Sequence, residues 1–202
     1  MALRKEKEKE GSRQRILDGA TEEFAGAGFA GARIDRIARR TKLNVRMIYY
    51  HFGSKKGLYR AVLQDIYERA AQILSESEGR PDPTGAAISL YVDLLAQHPH
   101  FANVLVRELL DGAKHLRAIF KEHPDLFEQV HMRARSIIEA GVKNGLFESS
   151  DPAMTVMSMT SILCFMSASR DVAPLFLDGR QLDASGLKAH LFQLLFMGLN
   201  KR

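Results

Sequence analysis

Apolar residues recur at intervals of three and four along most of this chain, and no stretch shows the strict alternation of a half-buried strand. Ile16, Leu17, Ala20 and Phe24 mark a first helix, with Ser12 placed to cap it and Gly26 to Gly28 placed to end it. Ile34, Ile37 and Ala38 mark a short second helix. A turn follows around Thr41 to Leu43, and Asn44 is suited to cap a third helix. Ser54 is suited to cap a fourth, which carries Leu58, Val62 and Ile66 and runs to about Ser77. "GRPDPTG" from Gly79 to Gly85 is the clearest interruption, and it is expected to join two functional parts. Further breakers lie at "QHPH", "EHPD", "KNG", "SSDP" and "DVAP", with helical spacing between them. The expectation is an all-α chain of about nine helices with no fixed-period repeat.

The third of these helices carries the most unusual composition, within "NVRMIYYHFGSKKGLY". At about 100° per residue, Ile48 and Phe52 fall on one side and Arg46, Met47 and Tyr50 on the other, with Tyr49 and His51 at the flanks. Ile37, Ala38 and Leu43 are available to close on Ile48 and Phe52, which makes the small core of a helix-turn-helix. A helix so arranged suits a DNA groove: Arg46 offers two hydrogen bonds to a guanine edge, Met47 a contact to a thymine methyl, and Tyr50 a ring and a hydroxyl. Lys55 and Lys56 stand in the first turn of the next helix. There the macrodipole is already positive and backbone amides are exposed, a combination that an anionic phosphate satisfies.

Charge supports that assignment. The net charge is only +5 over 202 residues. Residues 1–60 hold 15 Lys and Arg against 7 Asp and Glu, whereas residues 61–202 hold 14 against 17. A basic first third joined to a mildly acidic remainder points to a polyanion at one end and a different task at the other. The opening "MALRKEKEKE" reads as a solvated tail over 1–9, from which Arg4 and Lys5 offer themselves to a minor groove. It has no apolar run of the secretory kind, and Ala153 to Ser169 is too rich in Ser and Thr to span a bilayer. A cytoplasmic chain with no membrane segment is expected.

The stretch "RIDRIARRTKLNVRMIYYHFGSKKGLYRAV" resembles the helix-turn-helix of the TetR family of transcriptional regulators. That pattern ends in Tyr, a variable residue, His, Phe, a small loop and Lys, here Tyr49, Tyr50, His51, Phe52 and Lys55. Ile37-Ala38 match the apolar-alanine pair, and the likeness covers about residues 10–70. Two positions depart from it. Thr41-Lys42 stands where the family usually has Ala-Gly, and Arg46 with Met47 replaces the more usual small residue and threonine. The resemblance implies a helical DNA-binding head with its helix-turn-helix at 33–52. Val45, Arg46, Met47 and Tyr50 would read bases, while Arg33, Lys42, Asn44, Tyr49, His51, Lys55 and Lys56 would touch phosphates. It also implies a homodimer on a pseudo-palindromic double-stranded DNA operator, most simply as a repressor, although an activator fits the same residues.

Residues 71–202 resemble the family more loosely, as a helical ligand-binding and dimerisation domain. "RSIIEAGVKNGLFESSDPAMTVMSM" looks like the lead into the helices that form such a dimer interface. Apolar stripes place Val156, Met157, Thr160, Leu163 and Cys164 on one helix of that interface. Leu187, Leu191, Leu194, Leu195 and Gly198 fall on the other. A pocket for a small-molecule effector is implied in the same half, with Tyr91, Phe101, Leu105, Phe120, Phe127 and Phe165 as candidate linings.

Other chemistry is weakly represented. His98, His100, His115, His123 and His131 include no pair at metal-binding spacing, although Asp111 and His115 lie four apart. Glu108, with Arg107 and Asp111 beside it, suits a buried polar network or a solvated face. Cys164 has no basic neighbour in sequence to activate it. With no nucleophile elbow, phosphate loop or cofactor motif, an all-helical enzyme is disfavoured. A sequence-independent nucleic-acid binder is the remaining competitor.

Overall fold

The computed structural model describes residues 2–145 and 151–194, with side chains from Glu10 onward. Among them are ten α-helices, a short 3-10 turn at Ala173–Leu175 and no strand. The helices are α1 (Ala2–Gly31), α2 (Ile34–Thr41), α3 (Val45–Phe52), α4 (Lys55–Ser77) and α5 (Pro83–Gln97). They continue as α6 (His100–Leu110), α7 (Lys114–Glu122), α8 (Pro124–Lys143), α9 (Pro152–Ala168) and α10 (Ala184–Phe192).

Two first-helix expectations fare differently. Ser12 does not cap α1, because the helix begins at Ala2 and the Lys/Glu stretch is continuous with it. Helix-favouring Lys and Glu carry the backbone through the point where a cap was expected. The Gly26 to Gly28 signal does mark a break: Gly28 sits at φ 66, ψ 176, outside helical space, and α1 is kinked there. Asn44 and Ser54 cap α3 and α4 as the sequence predicts, accepting from the Arg46 and Gly57 amides at 2.9 Å.

Between "QHPH" and "EHPD" the structure adds a break that the sequence pattern does not announce. It lies at Gly112 and Ala113, which have φ 83 and 54, and it separates α6 from α7. Glu108 stabilises it. This carboxylate, 1% exposed, accepts from the His115 and Leu116 amides at 2.7 and 3.1 Å and so caps α7 across the gap. His115 turns its Nδ1 to the same carboxylate at 3.0 Å, and its ring packs on Phe29 and Tyr59. Asp111 and His115 therefore sit on opposite sides of a helix break rather than on one helical face.

One apolar core runs through the molecule, from Ile16, Leu17 and Phe24 of α1 through Ile37, Ile48, Leu58 and Leu63 to Val92, Val104, Ile119 and Leu191. Its main connector is α4, which packs against α1, α3, α5, α7 and α8. Where "GRPDPTG" falls, α4 ends and Asp82 caps α5, accepting from Gly85 at 2.9 Å. No helix among the described residues is long and apolar enough to cross a membrane.

Candidate nucleic-acid interface and apolar cavity

The α2–α3 pair is seated by a few residues. Ile34, Ile37, Ala38 and Ile48 are buried, and Leu43, Val45 and Phe52 pack at the margin of the same core. Thr41 donates to the Ile37 carbonyl at 2.9 Å, and the chain then reverses through Lys42 at φ 55. That is the left-handed conformation in which glycine is relaxed and a side chain is strained. After α3, Gly53 at φ 71 turns the chain into α4. A Cβ on Gly57 would lie 2.1 Å from the Phe52 carbonyl oxygen, so the close approach of α4 to the end of α3 requires glycine.

With Ile48 inside, α3 turns Arg46 and Tyr50 outward, and Tyr50 is 67% exposed. Met47 is half-buried beside them. Tyr49, 46% exposed, and the half-buried His51 flank this face, and the Tyr50 and His51 rings meet edge-on at 5.3 Å. Val45 differs from the other positions expected to read bases, since its side chain is drawn against the core. Asn44 spends its side-chain oxygen on the cap of α3. Lys55 donates to the Ala30 carbonyl at 3.1 Å and lies over the Phe29 ring, so it ties the end of α1 to the start of α4. Lys42, Lys56 and Arg33 are exposed.

Polar contacts from α1, which the apolar pattern does not announce, hold α2 in place. Glu23, 5% exposed, accepts from the Arg33 amide at 3.1 Å and lies 3.7 Å from the Arg36 guanidinium. Arg40 pairs with Glu22 and reaches Glu23 at 4.0 Å. The signal was available: Arg36 and Arg40 lie four apart, on one face of α2, opposite an adjacent acidic pair. These cations are therefore neutralised within the chain. No ion pair among the described residues involves Arg33, Lys42, Arg46 or Lys56, which leaves the positive field concentrated around α3 and the N-terminus of α4.

A cavity of about 120 Å³ lies deeper in the molecule, between α4, α5, α8 and α9, with Leu105 of α6 in its wall. Of the residues expected to line a pocket, Tyr91 and Leu105 do so. Phe101 stacks on His98 in the core, and Phe120 packs edge-on against Tyr67 behind the cavity wall. Phe127 and Phe165 are exposed. Burial pushes the Tyr67 hydroxyl up to about 12, raises Tyr91 and lowers His131. Cys164, 3.9 Å from the Tyr91 hydroxyl, has its thiol raised by burial and so lacks the character of a reactive sulfur.

The positions expected to form a dimer interface are divided by the fold. Leu163, Cys164, Leu187 and Leu191 are buried in the chain's own core, and Val156 lines the cavity. Met157, Thr160 and Leu194 are exposed, as are Met154 and Phe165 of α9. Leu195 and Gly198 lie outside the described residues. Among the described residues, no three His, Cys, Asp or Glu side chains converge as a metal site.

Comparison with known proteins adds a lineage to this geometry. Residues 16–62 match the family described as bacterial regulatory proteins, tetR family, and residues 85–195 match the tetracyclin repressor-like C-terminal domain. The chain is 35% identical to the HTH-type transcriptional repressor NicS of Pseudomonas putida, over 82% of this chain and 80% of that one. It is 29% identical to the HTH-type transcriptional repressor SCO4008 of Streptomyces coelicolor, over 71% of each. Among solved structures, the TetR family transcriptional regulator PfmR from Thermus thermophilus superposes with a TM-score of 0.71 at 18% identity, covering 93% of this chain and 100% of that one.

Proposed function

Because this chain belongs to the tetR family of bacterial regulatory proteins, and is thus a DNA-binding transcriptional regulator rather than an enzyme, we propose that it acts as a homodimeric repressor released by a small-molecule effector. Residues 10–70 are the DNA-binding part, and residues 71–202 bind the effector and dimerise. The observation that carries the reading is the outward placement of Arg46 and Tyr50 on α3, opposite the fully buried Ile48. A helix seated this firmly positions two base-reading side chains at little entropic cost on binding. Met47 completes the face, and Val45 supports it from the core margin. Tyr49, His51, Lys42, Lys56 and Arg33 surround it as phosphate contacts, with Asn44 and Lys55 fixing the helix ends beside them.

Dimerisation is supported by the exposed apolar side chains of α9, where Met154, Met157 and Phe165 stand in water, together with Leu194. Two copies joined there carry two reading heads, which calls for a pseudo-palindromic operator. The link to an effector is α4. Its first residues, Lys55 and Lys56, adjoin the reading helix, and Ile66, Tyr67, Ala70 and Ile73 line the cavity. At 23 residues α4 spans roughly 35 Å. A ligand that displaces its far part re-aims the heads, and it weakens DNA binding by the factor by which DNA weakens its own binding. The site of action is the cytoplasm, where the chromosome lies. Repression by NicS and SCO4008 supports the sign of the effect. A reporter fused to a promoter the protein occupies decides it: removing the gene raises transcription from that promoter, and a fall would make the protein an activator.

A further inference from the structure

Two cavity-lining residues, Thr84 of α5 and His131 of α8, hold buried polar atoms, Thr84 Oγ1 and His131 Nε2, that have no hydrogen-bond partner within the protein. A buried hydroxyl or ring nitrogen in that condition is costly, and two of them lining one largely apolar space suit a ligand that supplies the missing partners. The rest of the wall is mainly aliphatic and aromatic, with the hydroxyls of Tyr67, Tyr91 and the exposed Thr160 as its further polar groups. Ile66, Ile88, Ile137 and Leu163 are core residues, and Tyr67 and His131 belong to a ring cluster with Phe120 at 4.9 and 5.8 Å.

Charge and size narrow the ligand. The lining includes no Asp, Glu, Lys or Arg, so a ligand entering as an ion would be stripped of water without a counter-charge. Burial holds His131 below its ordinary range, which keeps the ring neutral near pH 7 and adds no charge of its own. An enclosed apolar space of roughly 150 Å³ holds benzene, and the 120 Å³ here is slightly smaller. The two volumes are of the same order, which suits a ligand with about one ring in the cavity.

We propose that the cavity binds a neutral, single-ring molecule bearing one hydroxyl, its ring against Tyr67 and the aliphatic wall and its hydroxyl satisfying Thr84 and His131. The inference rests on the reading of this cavity as the effector site and specifies what that site accepts.

Phenol, toluene and benzoate are suitable probes, titrated calorimetrically into the full-length dimer near pH 7.5. Phenol should bind with one saturable site per chain, at least about tenfold more tightly than toluene, which lacks the hydroxyl, or benzoate, which is charged. Thr84→Val and His131→Phe should each remove most of phenol's advantage over toluene, and Ala134→Leu, which fills the cavity, should abolish binding of both. The wild-type comparison stands even where a variant folds poorly. Benzoate binding as tightly as phenol, toluene matching phenol, or no binding by any probe would overturn the proposal. A second arm repeats the titration with operator DNA present. Phenol that binds in the cavity yet leaves DNA affinity unchanged would retain the ligand class and sink the effector reading. Release of DNA by a charged compound that Ala134→Leu excludes would do the reverse.

Discussion

Lys42 shows how a single residue joins fold to function. It holds φ 55 in the helix-turn-helix turn, where the family usually has glycine, and it presents a cation beside the reading helix. Lys42→Gly is expected to raise folding stability by about 1 kcal/mol, read from urea melts, by relieving the left-handed strain. The same change is expected to lower the magnitude of the salt slope of DNA binding by about one, as for a lost phosphate contact. An unchanged slope would place Lys42 off the backbone. Arg46→Ala should cost on the order of 1–3 kcal/mol on the preferred operator and relax discrimination at one base position; a uniform loss on all duplexes would make it a phosphate contact. His131 adds a pH effect with a definite sign. Its pKa in the folded chain lies below the ordinary 6.5, so the unfolded chain takes up its proton first. Its contribution to stability is therefore whole above 6.5 and is lost as pH falls through the lowered value. His131→Phe should flatten the acid side of a melting-temperature profile. Much of this scale was legible in the sequence, because helical phase alone turns Ile48 inward and Arg46 and Tyr50 outward. The engagement of Lys55 with Ala30, and of Val45 with the core, was not, because each depends on a neighbour distant in sequence.

At the scale of elements, capping and breakers predicted many helix ends, since Asn44, Ser54 and the glycines act on their own few residues; the Asp82 cap lies inside the predicted break at Gly79 to Gly85. The α6–α7 break escaped because Ala113, not a second glycine, takes one of its left-handed positions, and because its stabilising carboxylate, Glu108, lies a turn back within α6. A second contact of this kind joins α6 to α1. Arg107 donates to the carbonyls of Ala25 and Gly26 at 2.8 and 3.0 Å, satisfying the last turn of α1 before its kink at Gly28. Arg107→Ala should lower stability by about 1–2 kcal/mol. It should also shrink the change in DNA affinity that an effector produces, measured as the ratio of dissociation constants with and without it, while the affinity of the effector-free protein changes little. An unchanged ratio would show that α6 has no part in passing the signal to the head.

At the scale of the whole molecule, the proposed dimer recognises its operator by holding two reading helices in a fixed relation. Met157→Glu combined with Phe165→Glu should convert the dimer to monomer in sedimentation experiments and cost operator affinity far more than either head alone would suggest. The sequence correctly located apolar helices in the second half, but it could not tell which apolar residues the chain keeps for itself. Leu163, Leu187 and Leu191 are consumed by the internal core, and that division is visible only once α9 and α10 are packed. The most direct test of the central claim, that α3 presents a DNA-reading face, is footprinting of the purified full-length protein on its own upstream region, with a scrambled duplex as control. The expected result is protection of a pseudo-palindrome whose half-sites lie about one helical turn, or a multiple of it, apart, weakening steeply as salt rises from about 50 to 200 mM. Equal affinity for the scrambled duplex, or no protection at low salt by a folded dimer, would contradict it.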